Sequence, residues 1–119
     1  MKNNYQILSM TDERVQIVLA YLSSNCPIAE VASELQQILK PDKKIIIVGD
    51  FNFDKSEKNA LTKYFATKEM VQLVNNPTHD KGRCLDHCYV PHELMDKVVI
   101  KQYSPYYSDH DALCISLNL

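Results

Sequence analysis

The chain has 119 residues and a mass of 13.7 kDa, which is the size of one domain. Hydrophobic residues make up 45% and charged residues 24%, a globular composition that argues against disorder. The formal net charge of −2 argues against a strongly basic nucleic-acid binder and is compatible with a carboxylate-lined metal site. The sequence contains neither a membrane-spanning apolar run nor a signal peptide pattern, so we expect an intracellular protein, cytoplasmic or nuclear, with free thiols.

The first part of the chain alternates strands and helices. Residues 5–10 and 15–22 predict two antiparallel strands joined by a short polar turn. Pro27 opens a predicted helix with one apolar face. The continuous apolar run at residues 45–48 predicts a strand covered on both faces, and a second short helix is expected around residues 57–66.

The second part of the chain consists mainly of predicted strands. Residues 70–74 predict a short strand or a helical turn, and a loop follows at residues 75–83. Three further strands are expected at residues 85–90, 98–103 and 112–117. Helices alternate with strands early and strands dominate late, so the expected class is α/β (α+β). We expect two helices and one mixed, mostly antiparallel sheet.

The first polar motif is Gly49-Asp50-Phe51-Asn52, at the end of the predicted buried strand. Active-site groups of layered α/β folds gather where strands end and loops begin. A carboxylate at Asp50 can orient or deprotonate a water or bind a metal. Asn52 follows two residues later and can donate to a phosphate oxygen. The same residue types also suit an ordinary strand-to-helix turn, so the motif alone leaves both interpretations open.

The second motif joins the Pro-Thr-His segment at residues 77–79 to the Leu-Asp-His segment at residues 85–87. On the predicted strand Asp86 shares one face with Cys88, and His87 lies on the other. A half-buried acid at Asp86 needs a partner, for which an imidazole is suitable. A solvent-facing aspartate on an amphipathic strand is the alternative.

The third motif is Ser108-Asp109-His110, directly before the last strand. Adjacent side chains point to opposite faces, so Asp109 and His110 can serve two neighbouring subsites. Asp109 suits a hard cation such as Mg²⁺, and His110 suits acid–base chemistry or stabilisation of a phosphate. If Asp86 holds the Nδ1–H of His110, the imidazole tautomer is fixed. Alone, the motif is also compatible with a polar turn.

In this order and spacing the three motifs resemble the C-terminal half of the endonuclease/exonuclease/phosphatase superfamily, the fold of DNase I and the abasic-site endonucleases. Tyr21 and Asn25 resemble the family's strand-end tyrosine and the asparagine in its trailing loop. The resemblance covers about residues 14–117 and is nearest to endonuclease domains of mobile elements. It implies a four-layered α/β sandwich and hydrolysis of phosphate esters with Mg²⁺ or Mn²⁺. The expected activity is that of a DNA endonuclease.

The resemblance also implies roles for the matching residues. Asp50 would position or activate the attacking water, and Asn52 would contact the scissile phosphate or that water. Asp109 would bind the metal together with Asp50. His110, oriented by Asp86, would stabilise the pentacovalent phosphate or act as the base. The strand-end tyrosine named above would donate its phenol to a phosphate oxygen.

The chain differs from the family in length. Family domains have about 200–250 residues, as other large α/β domains do. Their first half supplies an asparagine and a metal-binding glutamate. Neither has a counterpart here, because residues 1–10 are too short to contain that half, and Glu13 lies in a predicted turn and does not replace the glutamate. We therefore expect residues 1–119 to be a single partial domain, truncated on its N-terminal side, with one apolar sheet face uncovered and weak activity at best. Its expected partners are a nucleic acid substrate, DNA, and the missing half or another protein chain; no membrane partner is expected.

Two other functions stay open from the sequence. The first is a structural zinc site, because histidines and cysteines cluster between residues 79 and 92. Strand periodicity opposes it, since Cys84 and Cys88 would share one face and His87 the other. The second is a catalytically inactive remnant that binds a partner through the uncovered sheet. The zinc candidates are His79, Cys84, His87, Cys88 and His92.

Overall fold

The computed structural model describes residues 4–75, 82–103 and 112–118. In these ranges no helix is long and apolar enough to cross a membrane. A short 3₁₀ helix, His92–Leu94, directly follows the strand that ends at Pro91. The strands and α-helices are, in chain order, β1 (Tyr5–Thr11), β2 (Val15–Leu22), α1 (Ile28–Ile38), β3 (Lys44–Asp50), α2 (Ala60–Thr67), β4 (Met70–Gln72), β5 (Asp86–Pro91), β6 (Val98–Tyr103) and β7 (Ala112–Leu117).

Five strands form one mixed sheet in the order β1-β2-β3-β5-β4. The β2–β3 pair is parallel, with α1 as its crossover, and the other neighbours are antiparallel. This confirms the predicted mixed, mostly antiparallel sheet with two helices. The last two strands do not join it, however, and form a separate two-stranded antiparallel sheet. Their alternate apolar residues, including Val98 and Ile100, pack on the core of the main sheet, so the pair lies face to face with that sheet.

The five-stranded sheet separates two hydrophobic cores. Ile47 of β3 lies in the core under the helices, together with Val31 and Leu35 of α1. Ile46 of the same strand lies in the other core, together with Val98 of the β6–β7 hairpin. The apolar run at residues 45–48 is therefore covered on both faces, as predicted. Each such fully buried aliphatic side chain contributes about 1.5–3 kcal/mol relative to an exposed one.

The second helix begins later than the sequence predicted. It starts at Ala60, because Asn59 forms a capping box with Thr62. Asn59 Oδ1 accepts hydrogen bonds from the N–H groups of Leu61 and Thr62 at 3.0 Å, and its own N–H donates to Thr62 Oγ1 at 2.8 Å. The box satisfies backbone donors that a helix start leaves without intrahelical partners. The segment from residue 51 to Asn59 therefore stays an irregular loop.

The hairpin covers only part of its side of the main sheet. At the β1–β2 end the side chains of Leu8, Met10 and Leu19 are 53%, 57% and 39% exposed. Leu8 pairs directly with Leu19, and Met10 with Ile17, so these residues form one continuous apolar surface. We call this surface the β1–β2 face. It is the uncovered apolar sheet face that the sequence predicted.

Candidate active site

Three polar residues lie side by side at one end of the main sheet. Tyr21 of β2 pairs with Asp50 of β3, and Asp50 pairs with Asp86 of β5. Directly paired residues point to the same face, with Cβ atoms about 4.5–5.5 Å apart in an antiparallel pair. Asp50 continues the alternation of Ile46 and Val48, which face the hairpin side. The row thus forms the polar end of an otherwise apolar surface, with Tyr21 43% exposed.

Gly49 allows the close approach of the two strands that carry Tyr21 and Asp50. It pairs with Ala20 of β2, and a Cβ at this position would lie 1.8 Å from the carbonyl oxygen of Ala20. No side chain fits there without moving the backbone of β2. The glycine of the sequence motif therefore sets the spacing of the row.

The backbone N–H and the side-chain amide of Asn52 hold this residue in the loop after β3. Its backbone has a φ of 56°, the left-handed region that asparagine tolerates better than most residues. Its N–H donates to Asp50 Oδ1 at 3.0 Å, and its Nδ2 donates to the carbonyl of Leu22 at 3.0 Å. The Leu22 contact uses one of the two N–H groups that Nδ2 carries. Asn52 therefore lies next to both Asp50 and the end of β2.

The paired carboxylates are a suitable environment for a cation. Like charges placed directly opposite each other on neighbouring strands repel, so a cation near Asp50 and Asp86 lowers the energy of the pair. Carboxylate and amide oxygens are the hard donors that Mg²⁺ prefers, and Mg²⁺ keeps several water ligands. Across the described ranges no group of three or more His, Cys, Asp or Glu could hold a metal. The described residues thus supply two facing carboxylates but no complete metal site, and binding of Mg²⁺ stays a prediction.

Two predicted site residues, Asp109 and His110, lie outside the described residues, as does the segment at residues 77–79. The metal role of Asp109 and the Asp86–His110 pair therefore stay predictions. Asn25 is exposed, and its Oδ1 accepts a hydrogen bond from Ser23 Oγ at 2.9 Å. The structure thus brings together Tyr21, Asp50, Asn52 and Asp86.

His87 is a core residue next to the row. Its ring stacks on Phe51 with centroids 5.1 Å apart and an interplanar angle of 8°. Its Nε2 lies 2.7 Å from the carbonyl oxygen of Cys84, and its Nδ1 lies 2.9 Å from the hydroxyl of Tyr89. Because a carbonyl only accepts, Nε2 carries the proton, and Nδ1 accepts from Tyr89. Burial lowers the pKa of His87, which favours the neutral ring.

The cysteines and His87 do not converge on a zinc site. Cys84 and Cys88 are buried in the core on the hairpin side, whereas His87 belongs to the aromatic cluster on the helix side, as strand periodicity predicted. Burial raises the pKa of the Cys88 thiol to about 12, which disfavours the thiolate that zinc needs. Both thiols act as small buried hydrophobic groups. His92 is exposed, and His79 lies outside the described residues.

One polar residue beside the site, Asp54, was not predicted from the sequence. Its Oδ1 accepts a hydrogen bond from the N–H of Cys84 at 2.8 Å, which joins the loop after β3 to the start of β5. Its Oδ2 accepts from the Oγ of Ser56 at 2.5 Å and from the N–H of Ser56 at 3.2 Å. An aspartate two residues before a serine is a local turn signal. No sequence pattern indicates the contact with Cys84, which lies 30 positions away.

The layers and the sheet order define a DNase I-like fold. A sequence profile of the endonuclease-reverse transcriptase family matches residues 15–114. The chain belongs to this family, which confirms the resemblance found in its motifs. No curated protein sequence matches the chain at a significant level.

Solved structures of this class superimpose on nearly the whole chain. The endonuclease domain of TRAS1, a telomere-specific non-LTR retrotransposon, matches with a TM-score of 0.74 and 18% identity over 98% of this chain and 62% of its own. An endonuclease/exonuclease/phosphatase family protein from Leptotrichia buccalis matches with a TM-score of 0.67 and 17% identity, over 97% and 54%. A mannosyl-6-phosphatase from Bacteroides thetaiotaomicron matches with a TM-score of 0.60 and 14% identity, over 88% and 51%. The chain thus spans between 51% and 62% of these three structures.

Proposed function

We propose that the chain carries part of the active site of a metal-dependent phosphodiester hydrolase that cuts DNA. The observation that supports this proposal best is the row of Tyr21, Asp50 and Asp86, completed by Asn52 at the same end of the sheet. A phenol, an amide and two carboxylates provide donors for a phosphate and acceptors for a water and a cation. These are the groups that metal-assisted attack of water on a phosphate requires.

Each residue of the row has a role in the proposed reaction. Asp50 orients the attacking water or accepts its proton, and together with Asp109 it would hold Mg²⁺ or Mn²⁺. When bound, the cation polarises a phosphate oxygen as a Lewis acid. Asn52 and Tyr21 donate hydrogen bonds to phosphate oxygens. Asp86 orients His110 for the transfer of a proton or for stabilisation of the phosphate charge.

The family supports DNA as the substrate. The class also includes a mannosyl-6-phosphatase, so the fold alone does not select a nucleic acid. The match to the endonuclease-reverse transcriptase family, and to an endonuclease domain of a retrotransposon, favours cleavage of DNA.

All four cysteines are free thiols, which supports a reducing compartment, the cytoplasm or the nucleus.

Nicking of a supercoiled plasmid tests the proposed function. We expect weak nicking of the plasmid by the chain with Mg²⁺ or Mn²⁺, and we expect it to stop when EDTA is added. Asp50→Asn should lower the rate at least about 100-fold, because it removes a group used in proton transfer and metal binding. Asp42→Asn is the matched control, since the Asp42 side chain is 75% exposed, and it should nick at the wild-type rate. Wild-type activity in Asp50→Asn, or no nicking by the wild type with either metal, would contradict the proposal.

A second candidate function, binding of a partner through the sheet, is favoured by the exposure of the β1–β2 face. The hairpin covers the neighbouring part of the same sheet surface, so strands that extend the β6–β7 sheet would cover Leu8, Met10 and Leu19. The TRAS1 structure contains chain with no counterpart here, since 62% of it is matched. We infer that the occupant is a β-strand segment that corresponds to this unmatched part.

The oxidation rate of Met10 tests this occupant. The transcript is mapped at its 5′ end, the frame upstream of Met1 is translated, and the longer chain is expressed. Met10 is 57% exposed in the present chain and should be oxidised several times more slowly in the longer one, whereas Met95, 40% exposed outside the β1–β2 face, should not change. Unchanged oxidation of Met10, or a stop codon directly upstream, would reject this occupant in favour of a separate chain or a second copy.

A further inference from the structure

Asp54 lies in the loop between β3 and α2 and uses both carboxylate oxygens. Oδ1 accepts from the N–H of Cys84, and Oδ2 accepts from the N–H and hydroxyl of Ser56. The hydrogen bond from the Ser56 hydroxyl, followed by the one from the Cys84 N–H, lowers the pKa of Asp54. The carboxylate is therefore ionised near neutral pH, the state in which it accepts these bonds most strongly.

The contact between Asp54 and Cys84 is part of a set of bonds that joins two segments of the site. The N–H of Phe51 donates to the carbonyl of Leu85 at 2.8 Å, and the N–H of Lys55 donates to the carbonyl of Cys84 at 3.1 Å. Asp54 binds the N–H of the same residue, so both backbone groups of Cys84 are fixed by the loop after β3. Nε2 of His87 contacts the Cys84 carbonyl as well.

These bonds hold the segments that carry two of the predicted site residues, Asn52 and Asp86. Asn52 lies two residues before Asp54 and has the positive φ of 56°, a conformation that neighbouring contacts must maintain. On one side of the loop, Asn52 Nδ2 is bound to the carbonyl of Leu22. On the other side, Asp54 is bound to Cys84, which lies two residues before Asp86. The loop is thus anchored toward β2 at one point and toward β5 at the other.

We propose that Asp54 is a positioning residue of the candidate active site, whose carboxylate anchors the Asn52 loop to Cys84 and so sets the position of Asn52 relative to Asp86. This inference rests on the proposed function. In this role Asp54 acts through Cys84 and the Asn52 loop, and not on the substrate. Displacement of a catalytic group by about 1 Å is enough to lower a rate by about 100-fold, so a lost anchor reduces turnover more than binding.

Steady-state cleavage of a labelled DNA duplex tests the role. In Asp54→Ala we expect kcat to fall about 10- to 100-fold with KM changed less than about 3-fold. Asp54→Asn keeps one carbonyl oxygen for the Cys84 N–H and should recover most of the loss. Ser56→Ala is the matched control, because it removes the hydroxyl contact of Asp54 and leaves the Cys84 contact in place. Wild-type kcat in Asp54→Ala, or equal losses in Asp54→Ala and Ser56→Ala, would overturn the proposal.

Two further measurements separate this proposal from folding defects and from the proposed function. Asp54→Glu keeps the charge but moves the carboxylate by one methylene, so it should lose kcat while its thermal unfolding stays near that of the wild type. By NMR, Asp54→Ala should accelerate hydrogen exchange of the Cys84 amide and shift the Asn52 side-chain amide signals, and Asp54→Asn should restore both. Unchanged NMR signals would refute the anchoring by Asp54. A wild-type chain that cuts no DNA would refute the proposed function, whatever the signals show.

Discussion

At His87 the two ring nitrogens have different partners, and these partners determine the tautomer of the ring. The carbonyl of Cys84 takes the Nε2–H, and the hydroxyl of Tyr89 supplies the proton that Nδ1 accepts. The ring also stacks on Phe51, which lies between Asp50 and Asn52 in the chain. A residue type that often acts in catalysis thus supports, from the core, the strand end where the polar row lies.

Because His87 is neutral when folded, the stability of the chain should depend on pH. Burial lowers the folded-state pKa below the value of about 6.5 that an unfolded histidine has. Between these two pKa values the unfolded chain binds more protons, so stability is full above about pH 6.5 and is lost as the pH falls toward the folded pKa. We expect the urea concentration at the unfolding midpoint to be lower at pH 5.5 than at pH 7.5. This difference should be smaller in His87→Gln. His92→Gln, at an exposed histidine, is the control, and its urea midpoint should decrease as much as that of the wild type. Equal slopes in all three proteins would contradict the prediction.

For the individual strands and helices, the sequence predicted those features that local residue patterns determine. Residues 15–22, 98–103 and 112–117 were predicted as strands and agree with β2, β6 and β7, because alternation and β-branched residues are local signals. The late start of α2 was missed because the reciprocal bonds of Asn59 and Thr62 decide it. The layer formed by β6 and β7 was missed too, because which sheet a hairpin packs on depends on contacts between distant segments.

The site shows the same division between local and distant effects. Asp50 and Asn52 were found from one short motif, since their bond spans two residues. The nearness of Tyr21 and Asp86 to Asp50 depends on the strand order β2-β3-β5, which residue spacing does not determine. Only the resemblance to a known family implied that these residues belong to one site. The contact of Asp54 with a residue 30 positions away had no signal of either kind.

The pairing of β2 with β3 should depend on Gly49. In Gly49→Ala the new Cβ would meet the Ala20 carbonyl oxygen at 1.8 Å, a backbone atom that moves only if the strands separate. We expect a loss of about 3 kcal/mol in the free energy of unfolding, measured with urea, and loss of nicking activity. Gly82→Ala is the control. A Cβ there has nothing within 4 Å, and only the φ of +83° disfavours alanine, by about 1–2 kcal/mol. Equal losses at both positions would show that strand spacing is not the cause.

At the scale of the whole molecule, the two cores differ in how completely they are covered. The core under the helices is closed by α1 and α2, with Leu35, Leu61 and Phe65 almost fully buried. On the other side, the hairpin covers one part of the sheet and leaves the β1–β2 face in solvent. Large exposed apolar surfaces of this kind mark contact sites. The polar row lies at the end of this second, incompletely covered side, so an additional layer would also border the candidate active site.

The β1–β2 face should make the isolated chain associate with itself as its concentration rises. Leu8→Thr with Met10→Thr introduces β-branched residues, which suit a strand, and removes apolar surface, so we expect a monomer over the same concentrations. Its unfolding free energy should stay within about 0.5 kcal/mol of the wild type, because both side chains are largely exposed. Sedimentation velocity measures the association. Val99→Thr is the control, since Val99 is 53% exposed on the outer face of the hairpin, and this variant should associate as the wild type does. A monomeric wild type, or equal dissociation in both variants, would show that the β1–β2 face does not drive association.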